Sequence, residues 1–172
     1  MKSQKKAFTH RELCYKAARY LKNKSLLPFH KCQYVFCELE RYGECPDALG
    51  FASGSGTQLI EVKTSRSDFL SDKNKRWRKK PEIGLGSYRS YLCPEGLINE
   101  KDLPDNWGLL WVNENGDITE VVKAIEQPCN HNAELHLLTN IMRREGVKPK
   151  IYSYKEYLDD KEIKNDINDD FL

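Results

Sequence analysis

The sequence predicts an α/β domain built on a mixed central β-sheet flanked by helices. Three features carry that expectation. Helix-like and strand-like segments alternate in part along the chain. Two segments, Thr9-His-Arg-Glu12 and Ser65-Arg-Ser-Asp68, have the spacing of a helix N-cap with an acid three residues on. The run Gly108-Leu-Leu-Trp-Val112 is too evenly apolar for a half-exposed strand and suits one buried on both faces. A chain of 172 residues suits one core, and nine Tyr, six Phe and three Trp are enough to build it.

The elements follow in order. A basic arm, Met1 to Lys6, precedes the first cap. The spacing of Leu13, Ala17, Tyr20 and Leu21 predicts a helix over His10 to Asn23, and Pro28 breaks the chain after it. Tyr34 to Glu40 reads as a strand with Tyr34, Phe36, Glu38 and Glu40 on one face. After Pro46 a second strand covers Asp47 to Ala52. Ser53-Gly-Ser-Gly56 turns, and Thr57 to Thr64 returns with Leu59, Glu61 and Lys63 on one face. A second helix starts at Ser65 and runs to about Lys75. Residues 82–87 form a loop, Tyr88 to Cys93 a strand stopped by Pro94, and Trp107 to Val112 a buried strand. Asn113 to Asp117 turns into Ile118 to Val122. The last helix runs from about Asn132 to Glu145 and stops at Gly146. Residues 151–158 read as a short helix. The expected organisation is one domain over 1–158, with an acidic, frayed tail over 159–172.

Composition narrows the function classes. No apolar run reaches the ~18 residues of a membrane span. No apolar segment follows the basic arm, so the expectation is no signal peptide, a cytoplasmic location and no membrane partner. Six cysteines lack any Cys-x-x-Cys pair, and His30, Cys32, Cys37 and Cys45 do not have a usual zinc spacing, so buried thiols are expected. Net charge is +2, but Arg66 to Lys80 carries seven Lys or Arg against two Asp. Such a block reads either as an anion-binding surface or as a solvated helix face. Ser53-Gly-Ser-Gly56 lacks the Lys-Ser/Thr of a P-loop and opens no helix, which argues against a nucleotide kinase or ligase. A cysteine hydrolase would need a matched His, and no spacing offers one.

One constellation carries chemistry. Asp47 opens the second strand, and Glu61-Val-Lys63 lies on its hairpin partner. Glu61 and Lys63 leave the same face. An Asp and a Glu from neighbouring strands can share one hard cation, and a Lys beside them can place a water or meet phosphate charge. Sharing requires an odd register. A four-residue loop would set Asp47 across from Val62, on the wrong face. A five-residue loop, Ser53 to Thr57, sets it across from Lys63 and beside Glu61. That register also leaves Ala48, Gly50 and Ala52 on a face where a helix can pack closely.

Pro46-Asp47 followed by Glu61-Val62-Lys63 resembles the motif of the PD-(D/E)XK nuclease superfamily. The longer run from Glu61 to Asp72, with Glu38 in the preceding strand, resembles the MmcB-like branch of bacterial and phage proteins linked to DNA repair. The resemblance covers about residues 9–112 and implies a restriction-endonuclease-like core. It implies hydrolysis of DNA phosphodiester bonds, with RNA left open as a partner, in repair or mobile-element biology. It implies a Mg²⁺ or Mn²⁺ cofactor on Asp47, Glu61 and the Val62 backbone carbonyl, with Lys63 catalytic. Glu38 is the first choice for the upstream acid. Glu12 is the second, although its capping role is a sufficient explanation; Glu40 sits nearer the strand end. A second reading keeps the fold as a DNA-binding or assembly module that cleaves poorly. Lys73, Lys75, Arg76 and Arg78 are expected to meet phosphates, and Trp77 either stacks on a base or packs under the sheet. Tyr88 and Arg89 mark the entry to a strand with no assigned role. His131 and His136 are expected to serve capping and solvent contact.

Overall fold

The computed structural model describes residues 8–24, 26, 31–38, 44–52 and 56–147. The basic arm, His30, Glu40, the tip of the 53–56 turn, the expected 151–158 helix and the acidic tail lie outside the described residues.

The elements are α1 (His10–Asn23), β1 (Tyr34–Cys37), β2 (Ala48–Phe51), β3 (Thr57–Val62), α2 (Arg66–Asp72), α3 (Arg76–Lys79), β4 (Tyr88–Pro94), β5 (Gly108–Val112), β6 (Ile118–Val122) and α4 (His131–Arg144). Short 3₁₀ turns cover Pro81–Ile83 and Glu100–Asp102. The strands form one six-stranded sheet in chain order, β1-β2-β3-β4-β5-β6. β1, β2 and β3 are antiparallel, β3, β4 and β5 are parallel, and β6 returns antiparallel to β5. The fold is α/β with a mixed sheet flanked by helices, as the alternation of elements predicts.

The chain divides into two compact units, one ending at Leu137 and one beginning at Leu138. In the second, the end of α4 is closed by Gly146 at φ +76°, with the Val147 N–H donating to the Met142 carbonyl. A left-handed residue after the last turn satisfies carbonyls that the helix leaves open.

In the first unit, α1 forms because its cap closes. Thr9 accepts from the Glu12 N–H, and the Glu12 carboxylate accepts the Thr9 N–H at 2.8 Å and its hydroxyl at 2.9 Å. Its apolar stripe, Leu13, Ala17 and Leu21, has no solvent exposure and packs on Ala48, Ile60, Val62, Leu92 and Leu110. On the opposite face Phe69 of α2 meets Tyr91 edge-on at 5.1 Å, and Tyr91 stacks on Trp107 at 4.4 Å. β3 is therefore buried along its whole length.

Three expectations change. The strand expected to reach Glu40 ends at Cys37, because Glu38 adopts φ +49° and leaves the extended region. The single helix expected over residues 65–75 closes at Asp72. A separate turn, α3, follows after Lys75, which is extended at φ −60°, ψ 139°. The hairpin loop has five residues, as the shared-face argument requires, but spans 52–56, since Phe51 pairs with Thr57.

Gly50 faces α1, where a Cβ would stand 2.5 Å from Cys32 Sγ and 3.3 Å from Leu21 Cδ1. The small residue is what lets this layer close. Gly50→Ala should lower unfolding free energy by about 1–3 kcal/mol, as overpacking does; urea titration of the two proteins checks it.

Candidate active site

The site lies at the end of the β2–β3 hairpin. The last regular pair is Ala48 with Ile60. One step further, the register carries Asp47 to Glu61 rather than to Lys63. The parity is the one a shared face needs, because a shift of two residues preserves the face and a shift of one reverses it. β2 has ended here, so the Val62 N–H has no strand partner, and Asp47 Oδ2 accepts it at 2.7 Å. The carboxylate thus takes the place of a ladder acceptor. In an extended residue the N–H and C=O leave the same edge, so the Val62 carbonyl also points to the Asp47 side.

Asp47 Oδ1 lies 3.3 Å from His10 Nε2, in the first turn of α1. Burial and the charge of Glu61 together push the Asp47 carboxyl up from 3.8 to about 6, against the Val62 N–H, His10 and Lys63. His10 Nδ1 lies 3.4 Å from Cys14 Sγ, and His10, Cys14 and Glu38 present ligand atoms within 4.8 Å of one another. Glu38 is therefore on the α1 side of the site, placed there by its left-handed turn. Glu12 is not: its carboxylate serves the helix cap.

Glu61 is 2% exposed, and its two oxygens differ. Oε2 faces three cations: Arg78 Nη2 at 3.2 Å, Lys63 Nζ at 3.6 Å and Lys75 Nζ at 3.8 Å. Oε1 is buried with no hydrogen-bond partner among the described residues. A buried carboxylate oxygen without a donor is costly, and a cation relieves it.

Behind this group is Asp72, with no solvent exposure. It accepts from Arg78 Nε at 2.6 Å, Tyr91 Oη at 2.8 Å and Lys63 Nζ at 3.2 Å, and it pairs with Lys75 Nζ at 2.7 Å. Burial alone would raise its pKa. Arg78, Lys75 and Lys63 outweigh that and hold it below the usual carboxylate range. Arg78 also donates to Glu44 at 3.1 Å and lies 4.6 Å over the Trp107 ring.

The basic segment thus divides. Arg78, expected to meet phosphate, has a side chain only 3% exposed and enclosed by acids, so it organises the interior of the site. Lys75 is part exposed but tied to Asp72 and Glu61. Lys73 and Arg76 are exposed. Trp77 is half-buried, with its indole nitrogen enclosed, which favours packing over base stacking.

Elsewhere, Arg89 is fully buried and donates to the carbonyls of Gly86, Pro81 and Pro128, a loop-anchoring role. The Tyr88 hydroxyl donates to Glu126. His131 contacts Cys129 and Glu134. Sequence reasoning missed His10, Cys14, Glu44 and Asp72 as parts of the site. The i, i+4 spacing of His10 and Cys14 was a usable signal, whereas nothing in the sequence marks Asp72 as buried.

No protein-family model and no curated protein matches the chain. Among solved structures, the SPO1766 protein of unknown function from Silicibacter pomeroyi is similar in fold. It has a TM-score of 0.52 and 20% identity, over 89% of this chain and all of that one. Among the described residues no helix is long and apolar enough to cross a membrane.

Two measurements probe the electrostatics. The raised Asp47 pKa means that its ionisation opposes folding. The stability present below about pH 4 is lost as pH rises through about 6. In EDTA, Asp47→Asn should therefore match the parent near pH 3 and exceed it by about 2–3 kcal/mol at pH 8, read by denaturant titration. Asp72→Ala leaves Glu61 as the one remaining carboxylate shared by Lys63, Lys75 and Arg78 and should cost about 3–5 kcal/mol at pH 7, read the same way.

Proposed function

We propose that the chain is a metal-dependent nuclease of PD-(D/E)XK type that hydrolyses DNA phosphodiester bonds. The observation that carries this reading is the hairpin register. Its last regular pair, Ala48 with Ile60, lies one step short of Asp47 and of Glu61, whose buried Oε1 has no hydrogen-bond partner among the described residues, and Lys63 Nζ lies 3.6 Å from Glu61 Oε2. The order α1, three antiparallel strands, α2, then parallel β4 supports a restriction-endonuclease-like core for it.

Asp47, Glu61 and the Val62 carbonyl are the residues that would hold Mg²⁺ or Mn²⁺, with Glu38 approaching from the α1 side. When bound, the ion supplies a Lewis acid for the phosphoryl oxygen and a water of lowered pKa. The chain's own work is positional and electrostatic. Lys63, held at 3.2 Å by Asp72 and 3.6 Å by Glu61, is fixed to orient a nucleophilic water or to meet charge on the reacting phosphate. Lys73 and Arg76 present exposed cations to a phosphate backbone. DNA is the proposed partner, and RNA enters as a comparison substrate.

A second reading has its own observation. Glu61 and Asp72 are already neutralised by Lys63, Lys75 and Arg78, so the cluster is stable as an ion-pair network. That favours a module that binds DNA and cleaves poorly.

Single- and double-stranded DNA and RNA, incubated with Mg²⁺ or Mn²⁺, separate the two. The nuclease reading expects DNA cleavage that Glu61→Gln and Lys63→Met each reduce about 100-fold or more. Retained DNA affinity with no product in either metal would establish the silent module instead. For either reading, Lys73→Gln with Arg76→Gln should flatten the dependence of log affinity on log salt by about one unit per lost contact. An unchanged slope would make the block a plain solvated face.

A further inference from the structure

A separate cluster sits at the other end of β3. Cys129 lies near the end of the 123–130 segment, His131 is the first residue of α4, and Glu134 lies in its first turn. Cys129 Sγ is 3.4 Å from His131 Nδ1 and 3.6 Å from Glu134 Oε2, and His131 Nδ1 is 3.2 Å from the same Oε2. Zinc bonds its thiolate, imidazole and carboxylate ligands at about 2.3, 2.0–2.1 and 2.0–2.2 Å in a tetrahedron. The edges of that tetrahedron are about 3.6 Å between sulfur and either light atom, and about 3.4 Å between nitrogen and oxygen. The three observed separations fall on those edges to within about 0.2 Å. We infer that Cys129, His131 and Glu134 form a binding site for a zinc-class divalent ion.

The surroundings are those of a built site. Glu134 is 3% exposed, and its other oxygen, Oε1, accepts from the Thr57 hydroxyl at 2.6 Å and the Gly86 N–H at 2.8 Å. Such outer partners orient a ligating carboxylate and leave its second oxygen for the ion. The loop that carries Cys129 is fastened on both sides. Arg89 Nη2 donates to the Pro128 carbonyl at 2.9 Å, and the Asn130 N–H donates to the Gly84 carbonyl at 2.8 Å. The Asn130 side chain in turn accepts from the Ala133 N–H at 3.0 Å and holds the start of α4. Gly86, at φ +81°, has its Cα against Leu59, where a Cβ would stand 2.5 Å from Leu59 Cβ. The backbone that donates to Glu134 is therefore fixed as well.

The donor set selects the metal. One sulfur, one nitrogen and one oxygen suit zinc or cobalt and not the all-oxygen preference of magnesium. Three protein ligands would leave a fourth position for water. A bound ion would join the 123–130 segment and the first turn of α4 to the start of β3 and the 84–87 loop. This site is distinct from the Asp47 and Glu61 pair, and its test is independent of any nuclease activity.

The full chain, stripped with a chelator and kept reduced, is titrated with Co²⁺ and then with Zn²⁺. The expected result is one thiolate-bound Co²⁺ per chain, counted from a charge-transfer band and the intense visible bands of four-coordinate cobalt, both bleached by Zn²⁺. Cys129→Ser should abolish the charge-transfer band, and Cys45→Ser, at an exposed cysteine outside both clusters, should leave it intact. His131→Ala removes an exposed ring, so the metal-free fold should keep its circular dichroism while Zn²⁺ affinity falls at least tenfold. Zn²⁺ should also raise the melting temperature of the parent and not of His131→Ala. Absence of a thiolate band, or a band that survives Cys129→Ser, would overturn the assignment. Unchanged affinity in a folded His131→Ala would overturn it too. In that case the three residues form only a hydrogen-bonded trio.

Discussion

One carboxylate without solvent contact organises the candidate site. Asp72 gathers Lys63, Lys75, Arg78 and the Tyr91 hydroxyl around two oxygens. A buried carboxylate is tolerated only when its lone pairs are filled and its charge is matched. Here matching it fixes the lysine beside Glu61, the arginine that bridges to Glu44, and the ring that stacks on Trp107. Removing the hub would leave Glu61 alone against the same three cations, and Lys63 would lose the shorter of its two carboxylate contacts.

The second constraint is the end of a strand. Where β2 stops, β3 still presents a backbone N–H, and Asp47 answers it with a side chain. That bond places a carboxylate in the plane of the sheet, next to a carbonyl that leaves the same edge. The cost is carried by Asp47, whose charge is raised in energy by burial and by Glu61. Perturbed acids of this kind gather at functional sites. At the opposite end of β3, Glu134 instead has one oxygen fully satisfied by Thr57 and Gly86. The two ends of one strand thus use buried acids in different ways.

Much of the framework was legible in the residues. The Thr9 and Glu12 box marked the start of α1, Gly146 marked the end of α4, and alternation placed Glu61 and Lys63 on one face, because caps and strand parity are local properties. The five-residue length of the hairpin loop followed from parity too, although the loop spans 52–56 rather than 53–57. The break between α2 and α3 was not legible. Asp72 and Arg78 have to meet across it, and that requirement comes from the buried network and not from helix propensity. The turn at Glu38 was hidden for a similar reason: a left-handed non-glycine residue is set by its surroundings.

The sequence by itself determined the element types, the mixed α/β class and the pair of residues that leave β3 toward one layer. Each of these depends on periodicities of two or 3.6 residues, or on caps three residues long. Tertiary structure alone decided which charges are interior. Arg78 and Arg76 are indistinguishable in a basic run, yet one is enclosed by Glu44, Glu61 and Asp72 and the other faces solvent. It also decided that Cys129, His131 and Glu134 present ligand atoms within 4.8 Å of one another. Burial and convergence of side chains are properties of packing between distant segments, and no local pattern encodes them.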